Sequence, residues 1–234
     1  MIKKIVFGIS ITGILLIVVA LFLAYSYSHR FLNDLPQRAK VELKINGGTY
    51  VSLNKINPYV PHAAVASQDE GFYTNSGIDA KGTVRAIYYS ITTGKRQGAS
   101  TITEQLIKNV YFSDIDNFKT DVITKFLAVV ATTMYPKNDI LELYLNSIYY
   151  GHGVYGIEKA SNYYFNESAI NVSLAESSYL IALINAPSYL GENSSQAVKI
   201  ARTVLELMAR EKYVTNTQLN NAVMDLNSFR KTKF

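Results

Sequence analysis

Hydrophobic and polar positions alternate unevenly along this chain, and the sharpest feature comes first. Residues 5–28 carry no charged side chain and are mostly Ile, Leu, Val, Phe and Ala. Roughly 20 apolar residues cross a hydrocarbon core, so this run predicts a transmembrane helix. It exceeds the apolar region of about 7–15 residues in a secretory signal peptide, and Tyr25-Ser26-Tyr27-Ser28 is a poor small-residue cleavage site, so it reads as an uncleaved anchor. Lys3 and Lys4 lie before it and Arg30 after it, which points to a cytoplasmic N-terminus over residues 1–4 and a main domain on the other side.

Beyond the anchor, residues 29–57 read as a linker broken by Pro36, followed by a short hairpin or extended arm alternating around Gly47-Gly48. From residue 58 to 228 the signals are helical, and residues 229–234 form a basic tail. Pro61 opens a helix that ends near Gly71, and Asp79 caps one running through Arg85 to about Thr92. A polar, Gly-bounded loop covers 93–98. Ser100 or Thr101 starts a helix reaching about Tyr111, and further helices follow over 118–135, 137–146 and 157–165. Gly151, Gly153 and Gly156 mark the turn before the last of these. Ser173 with Glu176 forms a capping box for a helix over 174–184, and Thr215 with Gln218 repeats the device for the final helix. The stretch 126–134 has almost no polar face beyond its threonines. It is either a buried core helix or a surface that dips into a bilayer. The fold class is mainly α, with one small extended element.

Composition narrows the chemistry. The 234 residues are 48% hydrophobic and 18% charged, which excludes disorder as the main state and fits one domain plus an appendage. There is no Cys, so disulfides, thiol catalysis and thiolate metal sites are excluded. The three histidines, His29, His62 and His152, lack ligand spacing. The net charge of +5 is spread without a dense basic run or interleaved aromatics, so nucleic acid is not expected and anionic lipid or an anionic substrate is.

Four ordered segments carry more. They are Gln68-Asp69-Glu70-Gly71-Phe72-Tyr73 with Gly77-Ile78-Asp79 and Gly82-Thr83-Val84-Arg85-Ala86; Gln97-Gly98-Ala99-Ser100-Thr101-Ile102-Thr103-Glu104-Gln105; Ile140-Leu141-Glu142-Leu143-Tyr144-Leu145-Asn146 with Tyr149-Tyr150-Gly151 and Tyr155-Gly156-Ile157; and Asn185-Ala186-Pro187-Ser188. Together the set resembles the family-51 peptidoglycan glycosyltransferases over about residues 51–223. The resemblance implies a lysozyme-like, two-lobed helical domain with a cleft, tethered to the bacterial plasma membrane by a single span. It also implies polymerisation of lipid II, a carboxylate base acting on the acceptor hydroxyl, and cations, often with a divalent metal, receiving the pyrophosphate. Lipid II or a glycan strand, membrane lipid and cell-wall synthesis proteins are the implied partners.

The sequence departs from that family at its reactive positions. The base position holds Gln68, and an amide has no useful basicity near neutral pH. A family His falls on Asn75. The third motif falls on 120–124, so that Thr120 and Asp121 replace its cations and Thr124 replaces its second Glu, while Asp116 stands where related enzymes often carry Arg. Asp beside a pyrophosphate reverses the favourable Coulomb interaction. Ser100, Gln105, Lys108 and Asn185 match as substrate-binding residues, Arg85 matches the first helix, and Asp69 also matches. Glu104 is a possible substitute base, although it stands four residues before Lys108 at ordinary ion-pair spacing. Glu70, two residues past Gln68, would face about 200° away if the helix continued. The expectation is therefore a glycosyltransferase-like protein with weak or no transfer activity. The alternative is an active polymerase using Glu104 or Asp69, and a glycan-cleaving enzyme comes third.

Overall fold

The computed structural model describes residues 2–79, 82, 100–113, 115, 117–192 and 194–229. The expected helix through Arg85, the loop over 93–98, Asp116 and residues 230–234 of the basic tail lie outside them. Two compact units divide the chain, Met1–Asp34 and Leu35–Phe234.

The first unit is the helix α1 (Ile2–Leu32). Its stretch Gly13–Leu32 has a mean hydropathy of 1.7 and is only 6% buried. Twenty residues at about 1.5 Å each span about 30 Å, the thickness of a hydrocarbon core. It is the one helix among the described residues long and apolar enough to cross a membrane.

The second unit is helical throughout, with one isolated bridge between Tyr149 and Tyr155 among the described residues. It opens on α2 (Leu35–Ile45), where a linker and an extended arm were expected. Two signals explain the difference. Pro36 sits in the first helical turn, where its missing N–H costs nothing. Leu35, Ala39 and Leu43 recur every four residues and are all buried. The helix stops because Gly47 takes a φ of +67°. The segment that follows is extended but pairs with no strand. The Val51 N–H and C=O are both bonded by the buried Asn146 side chain, at 3.0 and 2.8 Å. Glu142 accepts from Tyr50 Oη and from the Leu53 N–H, at 2.6 and 2.7 Å. Two side chains on one helix face do the work of a neighbouring strand.

After a single 3-10 turn (Leu53–Lys55) come α3 (Tyr59–Gln68), α4 (Ile102–Tyr111), α5 (Phe118–Met134), α6 (Lys137–Ser147), α7 (Ile157–Phe165), α8 (Leu174–Leu183), α9 (Pro187–Glu192), α10 (Ser194–Arg210) and α11 (Asn216–Phe229). The capping box is present as read: Ser173 Oγ accepts from the Glu176 N–H and the Glu176 carboxylate accepts from the Ser173 N–H. Thr215 and Gln218 form the same reciprocal pair. The sequence reading passed over α10, although Ala197, Val198, Ala201, Val204, Leu205 and Met208 make a clear buried stripe.

In α5 the apolar face is displaced from its expected place. Leu127, Ala128, Val130 and Ala131 are buried, so most of 126–134 is core. Its threonines do not make a polar face, because Thr132 and Thr133 donate back to the Ala128 and Val130 carbonyls. The exposed apolar residues lie earlier: Phe118 at 79% exposure, Val122 at 52% and Ile123 at 48%, with Ile115 and Phe126 beside them.

The helices of this unit pack in two groups. In one, α10 lies against α8, α11 and α3; in the other, α4 lies against α6 and α5, with α2 on α6. Helix α7 touches both α6 and α8. The loop ends that face one another between the groups build the site.

Candidate functional site

Helix α3 ends at Gln68 because Asp69 leaves helical geometry, with φ −158° and ψ 77°. The chain then turns through Gly71, and Phe72 drops into the core with no exposure. This early stop exposes three consecutive polar residues, Gln68, Asp69 and Glu70, to one cavity of about 1050 Å³. Its wall also includes Thr74, Asn75, Asp79, Ser100, Thr101, Gln105, Asn185, Arg210 and Glu211.

Asp69 is 7% exposed, and both its oxygens are engaged. Oδ1 accepts from Asn75 Nδ2 at 2.8 Å and Oδ2 accepts from the Ile102 N–H at 3.2 Å. Ile102 is the first residue of α4, so the carboxylate sits at a helix N-terminus, where the unpaired N–H groups favour negative charge. Asn75 Oδ1 in turn accepts from Lys137 Nζ at 2.9 Å and from the Gly77 N–H at 3.0 Å. Burial pushes the Asp69 carboxyl above its ordinary range, and the Asn75 and Ile102 bonds and the Lys137 charge oppose it. Burial likewise lowers the Lys137 ammonium, opposed by Asp69.

The start of α4 is fixed from a second side. Thr101 Oγ1 caps the helix by accepting from the Glu104 N–H, and donates to the Gly77 carbonyl at 2.7 Å. Gly77 has a φ of +94°, and a Cβ there would collide with the Ala128 carbonyl of α5. Gln105 reaches the cavity from the first turn. Its Nε2 donates to Gln68 Oε1 at 3.4 Å, and its Oε1 accepts from the buried Tyr144 hydroxyl at 3.0 Å. Gln68 is thus an amide held by another amide.

Five of the eight expected site residues share this cavity: Gln68, Asp69, Ser100, Gln105 and Asn185. Glu104, Thr124 and Lys108 are not among its lining residues. Glu104 is 3% exposed and points to α5, where Lys125 Nζ meets its Oε2 at 2.6 Å. It does not pair with Lys108, as the spacing had led one to expect; Lys108 lies 3.8 Å from Asp121 instead. Burial raises the Glu104 carboxyl, with Lys125 opposing. Its Oε1 and the buried hydroxyls of Thr103 and Thr124 have no hydrogen-bond partner among the described residues. Thr120 is also buried, with its N–H and hydroxyl both donating to Asn117, the cap of α5.

Glu70 is the position at which helical rotation misled. Because α3 stops at Gln68, Glu70 does not turn away but lines the same cavity. Its Oε2 meets Arg210 Nη2 at 2.8 Å, and Arg210 Nε meets Glu211 at 3.0 Å. Arg210 and Glu211 were not anticipated. They stand at the end of α10, about 140 positions from Glu70, and nothing local in the sequence links them. The divalent cation implied by the resemblance finds no fitting donor set here. Among the described residues no three His, Asp or Glu side chains converge on a metal position. The Asp69 oxygens are taken by Asn75 and Ile102, and Arg210 occupies Glu70 and Glu211.

Comparison with known proteins follows the same lines. Residues 38–209 match the family model described as Transglycosylase. A protein named monofunctional glycosyltransferase from Staphylococcus haemolyticus (strain JCSC1435) is 35% identical over 231 residues, covering 92% of this chain and 82% of that relative. One of the same name from Staphylococcus aureus (strain JH9) is 34% identical over 219 residues, covering 88% and 79%.

Proposed function

The chain belongs to the transglycosylase family, and on that premise we propose that it is a membrane-anchored protein of cell-wall synthesis that binds lipid II or nascent glycan in the Gln68 cavity and transfers sugar weakly. The observation that carries this reading is the state of the base position. Gln68 is an amide bonded to Gln105, and an amide cannot take the acceptor proton, a step worth about 10²–10⁴ in rate. The two substitutes named from the sequence are both engaged elsewhere. Asp69 holds the start of α4, and Glu104 is buried against Lys125.

The rest of the cavity favours a polyhydroxylated ligand. Gln68, Ser100, Gln105 and Asn185 offer amides and a hydroxyl, groups that exchange hydrogen bonds with sugars without requiring a charge. Helix α1, long and apolar enough to cross a membrane, fits a single-pass membrane protein. The cytoplasmic placement of Lys3 and Lys4 follows the positive-inside tendency.

The test joins binding to turnover. Full-length protein in nanodiscs is expected to bind labelled lipid II but to polymerise it at least about 10²-fold more slowly than an active relative. Gln68→Glu with Thr124→Glu is expected to raise the rate. Absence of lipid II binding, or polymerisation at the rate of the active relative, would refute the proposal. Clearing of a cell-wall suspension would instead favour cleavage.

A further inference from the structure

We propose that Glu70 is the base for the transfer that this protein still performs, an inference that rests on the reading of the cavity as a glycosyl-transfer site. Among the described residues, the carboxylates on the cavity wall are Asp69, Glu70, Asp79 and Glu211. The other three are each held by a neighbour. Asp69 accepts hydrogen bonds at both oxygens. Asp79 Oδ1 accepts from the Gly82 N–H at 2.9 Å. Glu211 also meets Arg210, at 3.0 Å, and its side chain is only 26% exposed. Glu70 remains, with its side chain 60% exposed, Oε2 held by Arg210 and Oε1 accepting nothing among the described residues.

Its position matches the task. Consecutive Cα atoms are about 3.8 Å apart, so Glu70 lies within about 7.5 Å of Gln68 along the chain. Both residues border the same space, and a glutamate side chain is long enough to close much of that gap. The Arg210 guanidinium, 2.8 Å from Oε2, fixes one carboxylate oxygen and leaves the other without a partner among the described residues.

The step balances as follows. Glu70 Oε1 takes the proton of the acceptor sugar hydroxyl. The acceptor oxygen bonds to the anomeric carbon of the donor, and the bond from that carbon to the pyrophosphate oxygen breaks, its electron pair leaving with the pyrophosphate. The protonated Glu70 returns its proton to solvent through its exposed face. Arg210 is a positioning residue here, acting through Glu70.

Full-length protein in nanodiscs with fluorescent lipid II tests this. Wild type is expected to give slow but measurable polymer. Glu70→Gln is expected to cut that rate about 10²-fold, with lipid II affinity within twofold. Adding Gln68→Glu to Glu70→Gln is expected to restore product, which separates lost chemistry from lost fold. Arg210→Ala is expected to lower kcat about tenfold with KM nearly unchanged, and Arg210→Lys to recover most of it. Polymerisation that ignores Glu70→Gln, affinity lost together with rate in Glu70→Gln, or no product from wild type would overturn the role of Glu70. Wild-type lipid II binding that survives in those cases leaves the proposed function standing, whereas its absence removes both.

Discussion

Asn75→Ala tests the frame of the cavity most directly. The substitution removes a donor to Asp69 at 2.8 Å, an acceptor from Lys137 at 2.9 Å and an acceptor from the Gly77 N–H at 3.0 Å. Two of these involve a charged partner and are worth roughly 1.5–3 kcal/mol each, and the third about 1 kcal/mol. The upper sum is not expected, because Lys137 can move toward Asp69 once the amide is gone, and their attraction offsets part of the loss. About 3 kcal/mol remains, or a fall of about 6–12 °C in Tm for a domain of this size. Thermal unfolding of Asn75→Ala, Asp69→Asn and the double variant measures it. Because both residues belong to one network that pins the α4 N-terminus, their effects should couple by about 1 kcal/mol or more. A loss under 1 kcal/mol, or simple additivity, would show that α4 is held by Thr101 alone and that the Asp69 network is incidental.

Two further outcomes follow from other parts of the fold. Burial raises the Glu104 carboxyl above the ordinary value of 4.5, so over the interval above that value the folded state holds a proton that the unfolded chain has lost. Stability from this group therefore falls as pH rises from about 4.5 through the folded pKa. The Tm of wild type minus that of Glu104→Gln should decline over that interval, and a flat or rising difference would contradict the burial argument. On α5, Phe118→Asp with Val122→Asp alters side chains that are 79% and 52% exposed. The Tm should stay nearly constant, while a fragment covering residues 35–234 should bind lipid vesicles at least about tenfold more weakly; unchanged vesicle binding would place the lipid contact elsewhere.

Much of the fold was legible locally. The capping pairs at Ser173–Glu176 and Thr215–Gln218 marked two helix starts, because a cap is made by residues three positions apart. The reading failed where the decisive partner was distant. Residues 41–53 alternate like a short hairpin or extended arm, but α2 runs to Ile45, and Glu142 and Asn146 satisfy the extended backbone that follows. The same limit governs the site. Gln68, Asp69, Ser100, Gln105 and Asn185 were found from ordered motifs and meet in one cavity, whereas Glu104 was read by its i, i+4 spacing to Lys108 and instead turns inward to Lys125.

The sequence by itself determined the long apolar N-terminal helix, the mainly helical class, the family resemblance and the amide at position 68. Each depends on residue identity or on spacing within a few turns of one helix. Tertiary structure alone decided which carboxylates remain available to a ligand. Asp69 became a helix-end anchor because α4 begins against it, and Glu104 became a buried ion-pair partner because α5 covers it. Glu70 became a cavity residue because α3 ends two positions earlier and α10 delivers Arg210 to its side. Availability depends on what packs against a side chain, and packing joins residues that the sequence keeps far apart.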